Sequence, residues 1–556
     1  MSQQAAAIRP IEAPVLDSKD RAGAFAIFAL LLALYTLTFS GLPDNPDAEV
    51  EFQTVRSLAQ EAHFALGSTP EADAILLAQF DVAPGGPGRE GRWYSWFGVG
   101  QAIVALPFYF AGELAERVFP EVEALHAQTS DYGARRSEYW QHLAVGWRNS
   151  LLAAATAALL AIAARRLGAS RRSALLSALL FGTATFVWPQ ARSTLSDVQA
   201  MFCLCLAFER WLAYRSTARE APWTLATAGG ALALAVLTRV AIAPAAVVVA
   251  AACLGSMVAH RSRTLSWCAF LAPIALGAAL FLLTNALRFS SLTQTGYHVA
   301  LAEGSFFTYP LHLGIAGILI SPGKGLLWMA PLVLLVPIGF HRARAGGERA
   351  WPWLACLTSL AVAAPILCTQ TWHGAWTYGP RYLLPCLPFL WPAVALAFDR
   401  ARERRLVLGA ATLLSLLGFA TAIPGVVVDH MTHQDLAVQA ARIAWPEPGG
   451  SDERERDAAR FLSIQWDWRF AAPWAHWRIA ALRARGNGDA YSARQLFGVD
   501  SNAVVTSQHD RESGWRHFAW VYLRDKLGGP AWILLAWAGS WLVVALAAWR
   551  RAQGSR

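Results

Sequence analysis

The residues best placed to do chemistry are acidic and lie together: Asp44-Asn-Pro-Asp47-Ala-Glu49-Val-Glu51 follows directly on the first long apolar run, residues 22 to 40. A carboxylate fixed at a helix start against a membrane-embedded cleft can act as general base toward an acceptor hydroxyl. Pro46 suits the first position of such a helix, so Asp47, Glu49 and Glu51 are the candidate catalytic residues. A bland reading stands beside this one, because Asp47 and Glu51 are spaced i, i+4 as on any solvated helix face.

Basic groups recur at other outer helix ends. Gly379-Pro-Arg381-Tyr382-Leu-Leu-Pro385 opens an apolar run, just after Trp372-His373-Gly-Ala-Trp376-Thr-Tyr378. A guanidinium fork there matches phosphate oxygens, although an arginine at a span edge can also simply snorkel. Lys324, in Ser321-Pro-Gly-Lys324-Gly, and Arg239, at the turn of a helical hairpin, repeat the arrangement. Three such cations on one side would suit a phosphate; a solvated turn and an interfacial anchor are the alternatives. Asp197, in Ser193-Thr-Leu-Ser-Asp197, is a second carboxylate at a helix start and serves equally well as a cap. Tyr297 and His298, with Trp93, Tyr94 and Trp96, are candidate sugar or lipid contacts, and an aromatic belt explains those aromatics as well.

What must position these groups is mostly membrane. The chain has 556 residues, 55% hydrophobic and only 15% charged, with a mean hydropathy of +0.34, which defines an all-α polytopic membrane protein. The net charge of +9 comes from short clusters between apolar runs, as the positive-inside rule produces, and does not point to nucleic acid. All seven cysteines fall in apolar segments, so neither a disulfide framework nor a zinc site is indicated. There is no phosphate-binding Gly-x-x-x-x-Gly-Lys-Ser/Thr loop, no Gly-x-Gly-x-x-Gly, no His-Glu-x-x-His and no Cys-x-x-Cys, which argues against nucleotide hydrolysis. The acidic loop could hold a divalent cation, but no ligand spacing demands one.

A crossing needs roughly 17 to 25 apolar residues. On that criterion spans are expected at 22–40, 147–164, 173–189, 197–214, 224–239, 241–259, 265–287, 325–341, 351–370, 380–398, 406–424 and 531–549, about 12 transmembrane helices. Arg165, Arg166, Arg171, Arg172, Arg215, Arg342, Arg344, Arg400, Arg404 and both termini then share one side, which the positive-inside rule makes the cytoplasm. The acidic loop faces outside, the periplasm of a bacterial inner membrane. Residues 96–119 are read as a juxtamembrane helix in the interface, because a crossing there would invert everything downstream. The run 224–259 is too long for one crossing and is expected to turn near Arg239, and 311–320 is expected to be re-entrant. The expected organisation is a cytoplasmic tail (1–21), a transmembrane core (22–424) including a periplasmic loop (41–146), a periplasmic region or small domain (425–530), and a final span with a cytoplasmic tail (531–556).

The acidic loop, Tyr94-Ser-Trp-Phe-Gly-Val-Gly-Gln, Ala164-Arg-Arg-Leu-Gly, Leu237-Thr-Arg239, Thr295-Gly-Tyr297, Ser321-Pro-Gly-Lys-Gly-Leu-Leu and Gly379-Pro-Arg-Tyr-Leu-Leu-Pro occur in an order that resembles the GT-C superfamily of integral-membrane glycosyltransferases. The likeness is to the protein-mannosyltransferase and aminoarabinose-transferase branch and covers residues 20 to about 425. It implies a polyprenyl-phosphate-linked sugar donor, a glycan, lipid or protein acceptor, an extracytoplasmic site, and an acid of the first loop as base or metal contact. By position Asp47 is the first choice for that acid, although alternate acids replace the adjacent acidic pair common in such loops. The Trp-Trp-Asp signature of oligosaccharyltransferases is lacking, since Trp466-Asp467-Trp468 matches it only superficially. The resemblance thus implies transfer of one hexose or pentose. A glycan polymerase using a pyrophosphate-linked oligosaccharide, and a lipid or solute transporter, are the alternatives.

Overall fold

The computed structural model describes residues 16–41, 45–72, 85–129, 138–216, 222–297, 307–401, 404–450, 452–486, 490–507 and 517–554. Asp44 and His298 lie outside these residues. The described residues are predominantly helical. The sheets among the described residues are two antiparallel hairpins, Gly85–Pro87 with Trp93–Ser95 and Ala490–Ser492 with Val504–Thr506.

Among the described residues eight helices are long and apolar enough to cross a membrane, making this a multi-pass membrane protein. The first is α1 (Ser18–Thr38). Outside it, α2 (Pro46–Glu61) and α3 (Gly100–Val118) precede the long α4 (Tyr139–Arg166). The helices α5 (Ser196–Ser216) and α6 (Pro222–Thr238) follow, then α7 (Ala243–Ala259) and α8 (Thr264–Phe289). Of the further runs expected to span, 173–189 is interrupted after the helix Arg171–Thr183, the short helix Val187–Gln190 following, and α6 has 17 residues. The run 325–341 is broken at Ala330, where Pro331 and Pro337 begin separate helical turns. The break expected near Arg239 falls on that residue, which is extended (φ −151°, ψ 109°) between α6 and the turn leading into α7. The short run 311–320 is a ten-residue helix, Leu311–Ile320, that ends in the Ser321–Lys324 turn.

One end of the bundle is laced by the arginines that the sequence assigns to one side. Arg165 and Arg171 both pair with buried Asp20 of α1 (2.9 and 2.7 Å), Arg166 with Glu209 (2.9 Å) and Arg215 with Glu348 (3.2 Å). A last helix, Trp532–Gln553, returns along α1 to that end, where a Cβ on Gly554 would stand 2.8 Å from Lys19 Nζ. Small residues let other helices close up. A Cβ on Gly229 of α6 would lie 2.2 Å from the Phe270 carbonyl of α8, a backbone-to-backbone approach open only to glycine.

At the opposite end the span α9 (Arg405–Val427) runs into α10 (His430–Ala444), followed by the helix Glu453–Ile464 and α11 (Ala472–Ala484). Val428, Leu436, Ile464, Phe470, Ile479, Phe497 and Val505 bury one another there in a core separate from that of the bundle.

Candidate active site

The site begins at the start of α2. Asn45 caps the helix by accepting the Ala48 amide at 2.9 Å, and Pro46 occupies its first turn, so the chain enters the helix with Asp47 fixed at its N-terminus. The three expected acids then separate by helical rotation. Asp47 keeps a quarter of its side chain exposed and accepts a 2.8 Å hydrogen bond from Arg381 Nη2. Glu49 turns inward, where it accepts from Gln53 (2.6 Å) and pairs with buried His142 (3.1 Å). Glu51 is buried too: one oxygen is 3.4 Å from the Ser196 amide, and the other has no partner among the described residues. Burial pushes its carboxyl up to about 8; Arg148 opposes that shift and the charges of Asp47 and Asp197 add to it.

Asp197 is more than a cap. It lies in the first turn of α5, 1% exposed, with Oδ1 accepting from Arg239 Nη1 at 2.5 Å and Oδ2 3.9 Å from Arg381 Nη1. Both guanidiniums also flank the ring of Tyr382, with their carbons 4.7 Å (Arg239) and 5.0 Å (Arg381) from its centroid. Asp47, Arg381, Asp197 and Arg239 thus form one continuous chain of alternating charge, and Tyr382 joins its two cations.

The glycine-rich motifs explain this placement. A Cβ on Gly98 would lie 2.0 Å from the Leu237 carbonyl and one on Gly100 2.6 Å from the Thr238 amide, so the strand-to-helix turn docks directly beneath Leu237-Thr238-Arg239. Gln199 then ties α5 to both, donating to the Gly100 carbonyl (3.1 Å) and Thr238 Oγ1 (2.8 Å). The irregular segment before α5 leaves carbonyls inside the protein that its own backbone cannot satisfy. Asn149 of α4 donates to the Ser193 and Leu195 carbonyls (both 2.7 Å), while Gln101 (2.7 Å) and Arg148 (2.9 Å) donate to that of Thr194.

Lys324 is 1% exposed and comes in from a different side. Its ammonium donates to the carbonyls of Ala375 (3.0 Å) and Thr377. Burial, and secondly the charge of Arg381, push it well below the ordinary lysine range. Tyr297 shares the surroundings of Arg239, Tyr382, Asp47 and Asp197; burial raises its phenol to about 12. Its loop is pressed against Trp96, whose ring centroid is 6.3 Å away. Tyr94 goes elsewhere, its ring packing on Phe289 (5.8 Å) beneath the first hairpin, in a small cluster with Ala65.

Sequence reasoning missed Arg148, fully buried in α4. An arginine inside an otherwise apolar run of 18 residues was the available signal. It also missed His373, which stands in the field of both Lys324 and Arg381; burial is the main cause that lowers its imidazole to about 3.

Such a constellation, at the ends of apolar helices, can hold an anionic group on guanidinium and ammonium donors while keeping a carboxylate beside it. Residues 129–293 match the family model of the dolichyl-phosphate-mannose-protein mannosyltransferases. The matched stretch carries Arg148, Asp197 and Arg239; Asp47, Lys324 and Arg381 lie outside it. Among solved structures the fold is similar to ArnT from Cupriavidus metallidurans bound to undecaprenyl phosphate, at 13% identity over 95% of this chain and 77% of that one (TM-score 0.46). It is also similar to the Archaeoglobus fulgidus oligosaccharyltransferase in its apo form, at 12% identity over 78% and 59% (TM-score 0.39). The archaeal oligosaccharyltransferase AglB in complex with an inhibitory peptide and a dolichol-phosphate aligns at 13% identity over 82% and 63% (TM-score 0.36). None of the curated proteins compared matches the chain.

Proposed function

We propose that the protein transfers a single sugar, a hexose or pentose, from a polyprenyl-phosphate-linked donor to a hydroxyl of an envelope glycan, lipid or protein. The reaction takes place on the periplasmic side of a bacterial inner membrane, with both termini in the cytoplasm. The observation that carries this reading is the chain Asp47–Arg381–Asp197–Arg239, which sets a partly exposed carboxylate beside a pair of buried guanidiniums. A donor on the outer side has no nucleotide carrier to leave on, and a lipid phosphate is an anion that such donors fit.

The step is a single displacement. The acceptor oxygen forms a bond to the anomeric carbon, and the bond from that carbon to the phosphate oxygen breaks. The electron pair departs with the polyprenyl phosphate and the acceptor proton passes to Asp47. Arg381 stabilises the charge growing on the leaving phosphate, with Arg239 behind it and Lys324 as a further donor. Tyr382 and Tyr297 line the same space. Glu49, engaged by His142, and Glu51, facing Arg148 and the Ser196 amide, hold α2 in place and leave Asp47 as the base.

Mass spectrometry of lipid-linked sugars and envelope glycans tests this in a deletion strain complemented with wild type or with Asp47→Asn. Loss of one sugar and accumulation of a polyprenyl-phosphate monosaccharide in both the deletion and the variant is the expected result. A pyrophosphate-linked oligosaccharide accumulating instead would mark a polymerase, and full restoration by Asp47→Asn would remove Asp47 as the base.

A further inference from the structure

Outside the charged site the molecule holds a second chemical cluster that the transfer reaction does not use. His430 and His433 lie one turn apart on the same face of α10, and His476 enters from the second turn of α11. All three are buried. One ring nitrogen from each can be chosen so that the three lie within 4.8 Å of one another.

The hydrogen bonds at the far side of each ring decide which nitrogens face one another. His476 Nδ1 is 3.1 Å from the Pro424 carbonyl, an acceptor only, so that nitrogen carries the proton and Nε2 bears the lone pair. His433 Nε2 is likewise 3.0 Å from the Phe470 carbonyl, which leaves the lone pair on Nδ1. For His430, Nε2 sits 3.0 Å from the Gln434 side-chain amide. As placed, that amide presents its nitrogen, and its Oε1 is buried with no partner among the described residues. Turning the amide over gives up the 3.5 Å contact of its nitrogen with His433 Nδ1, but lets Oε1 accept the His430 Nε2 proton and leaves the lone pair on His430 Nδ1. His430 Nδ1 then faces His476 Nε2 at 3.4 Å, and two nitrogens bound tetrahedrally to one zinc ion stand ~3.3 Å apart. Rings anchored from behind by backbone carbonyls and an amide are the outer-shell arrangement that orients metal-bound imidazoles.

We propose that His430, His433 and His476 form a binding site for a divalent transition-metal cation of the zinc class, with three imidazole nitrogens as ligands and one position left for water. Three nitrogens and no carboxylate favour such an ion over calcium or magnesium, which take oxygen. The ion would join α10 to α11 and, through the Pro424 carbonyl, to the end of span α9. Tyr378, three residues before Arg381, packs on His476 (5.1 Å between centroids) and His430 (5.7 Å), so the ion also backs the loop that leads into the charged site.

The full chain, purified in detergent, stripped with chelator and reloaded with Zn2+ or Co2+, provides the test. One equivalent of metal per chain, visible absorption of a tetrahedral nitrogen-ligated Co2+, and a higher unfolding temperature with Zn2+ are expected, all lost in His476→Gln. A stripped wild-type chain that takes up neither ion at concentrations on the order of ten micromolar overturns the proposal whatever the variant does. Equal uptake by His476→Gln overturns it as well.

Discussion

Arg239 donates to Asp197 at 2.5 Å from the one non-helical residue between two apolar helices, and both partners are almost wholly buried. A guanidinium in that position is left buried without its ion-pair partner if the carboxylate is removed. Asp197→Ala should therefore destabilise the protein by about 3–5 kcal/mol. Thermal unfolding in detergent checks this, with Asp47→Asn as the contrast: Asp47 is partly exposed, and its loss should change stability by about 1 kcal/mol or less.

Donor use should fall in Arg381→Ala by about 10²–10³-fold at unchanged protein level, the range found when one donor to a developing anion is removed. Arg381→Lys keeps the charge but not the fork and should recover only part of the rate. Turnover measured with a purified lipid-linked donor separates the two. Wild-type turnover in Arg381→Ala would end its assignment to the leaving phosphate.

Stability should depend on pH through Glu51. Its carboxyl is raised to about 8 from an ordinary 4.5, so folding takes up a proton there between those values. The contribution is full below about pH 4.5 and is lost as the pH climbs through 8. Glu51→Gln, which cannot ionise, should flatten the fall in unfolding temperature between pH 5 and 8, by the equivalent of a few kcal/mol at most. An unchanged pH profile would show that Glu51 is already ionised at neutral pH.

Gly98→Ala should be costly although no side chain is lost. Its Cβ would sit 2.0 Å from the Leu237 carbonyl, so the backbone carrying Arg239 has to move. A loss of about 1–3 kcal/mol is expected, together with a raised KM for the donor. Gly168→Ala, with nothing within 4 Å of the added carbon but a φ of +91°, is a control for backbone strain alone.

Much of the fold was legible because apolar run length, charge-side bias and helix-start chemistry are local properties. The break at Arg239 followed from a run too long for one crossing, and the start of α2 from Asn45-Pro46. The run at 325–341 was read as one span because hydropathy does not register the backbone limits of Pro331 and Pro337. In the site, Asp47, Asp197, Arg239, Tyr382 and Arg381 were named from the ends of helices, where a polar residue stands out against its neighbours. Spacing could not say which acid faces the cleft. That depends on what packs behind α2, namely His142 for Glu49 and the Ser196 amide for Glu51. Tyr94 was grouped with Trp93 and Trp96 as an aromatic that could contact sugar or lipid, yet its ring packs on Phe289, a partner far away in sequence that no local pattern reveals. The histidine cluster draws on segments 46 residues apart, and its only local trace is a pair spaced i, i+3.

The hydrogen bond between Arg381 and Asp47 has a kinetic consequence. A guanidinium nitrogen pointed at the carboxylate is not pointed at a phosphate, so a donor that recruits that edge of Arg381 has to detach Asp47 first. On the proposed reaction the carboxylate is then released at the moment a sugar arrives to be transferred. Substrate addition should be ordered, donor before acceptor, and the resting protein should be a poor catalyst of anything else.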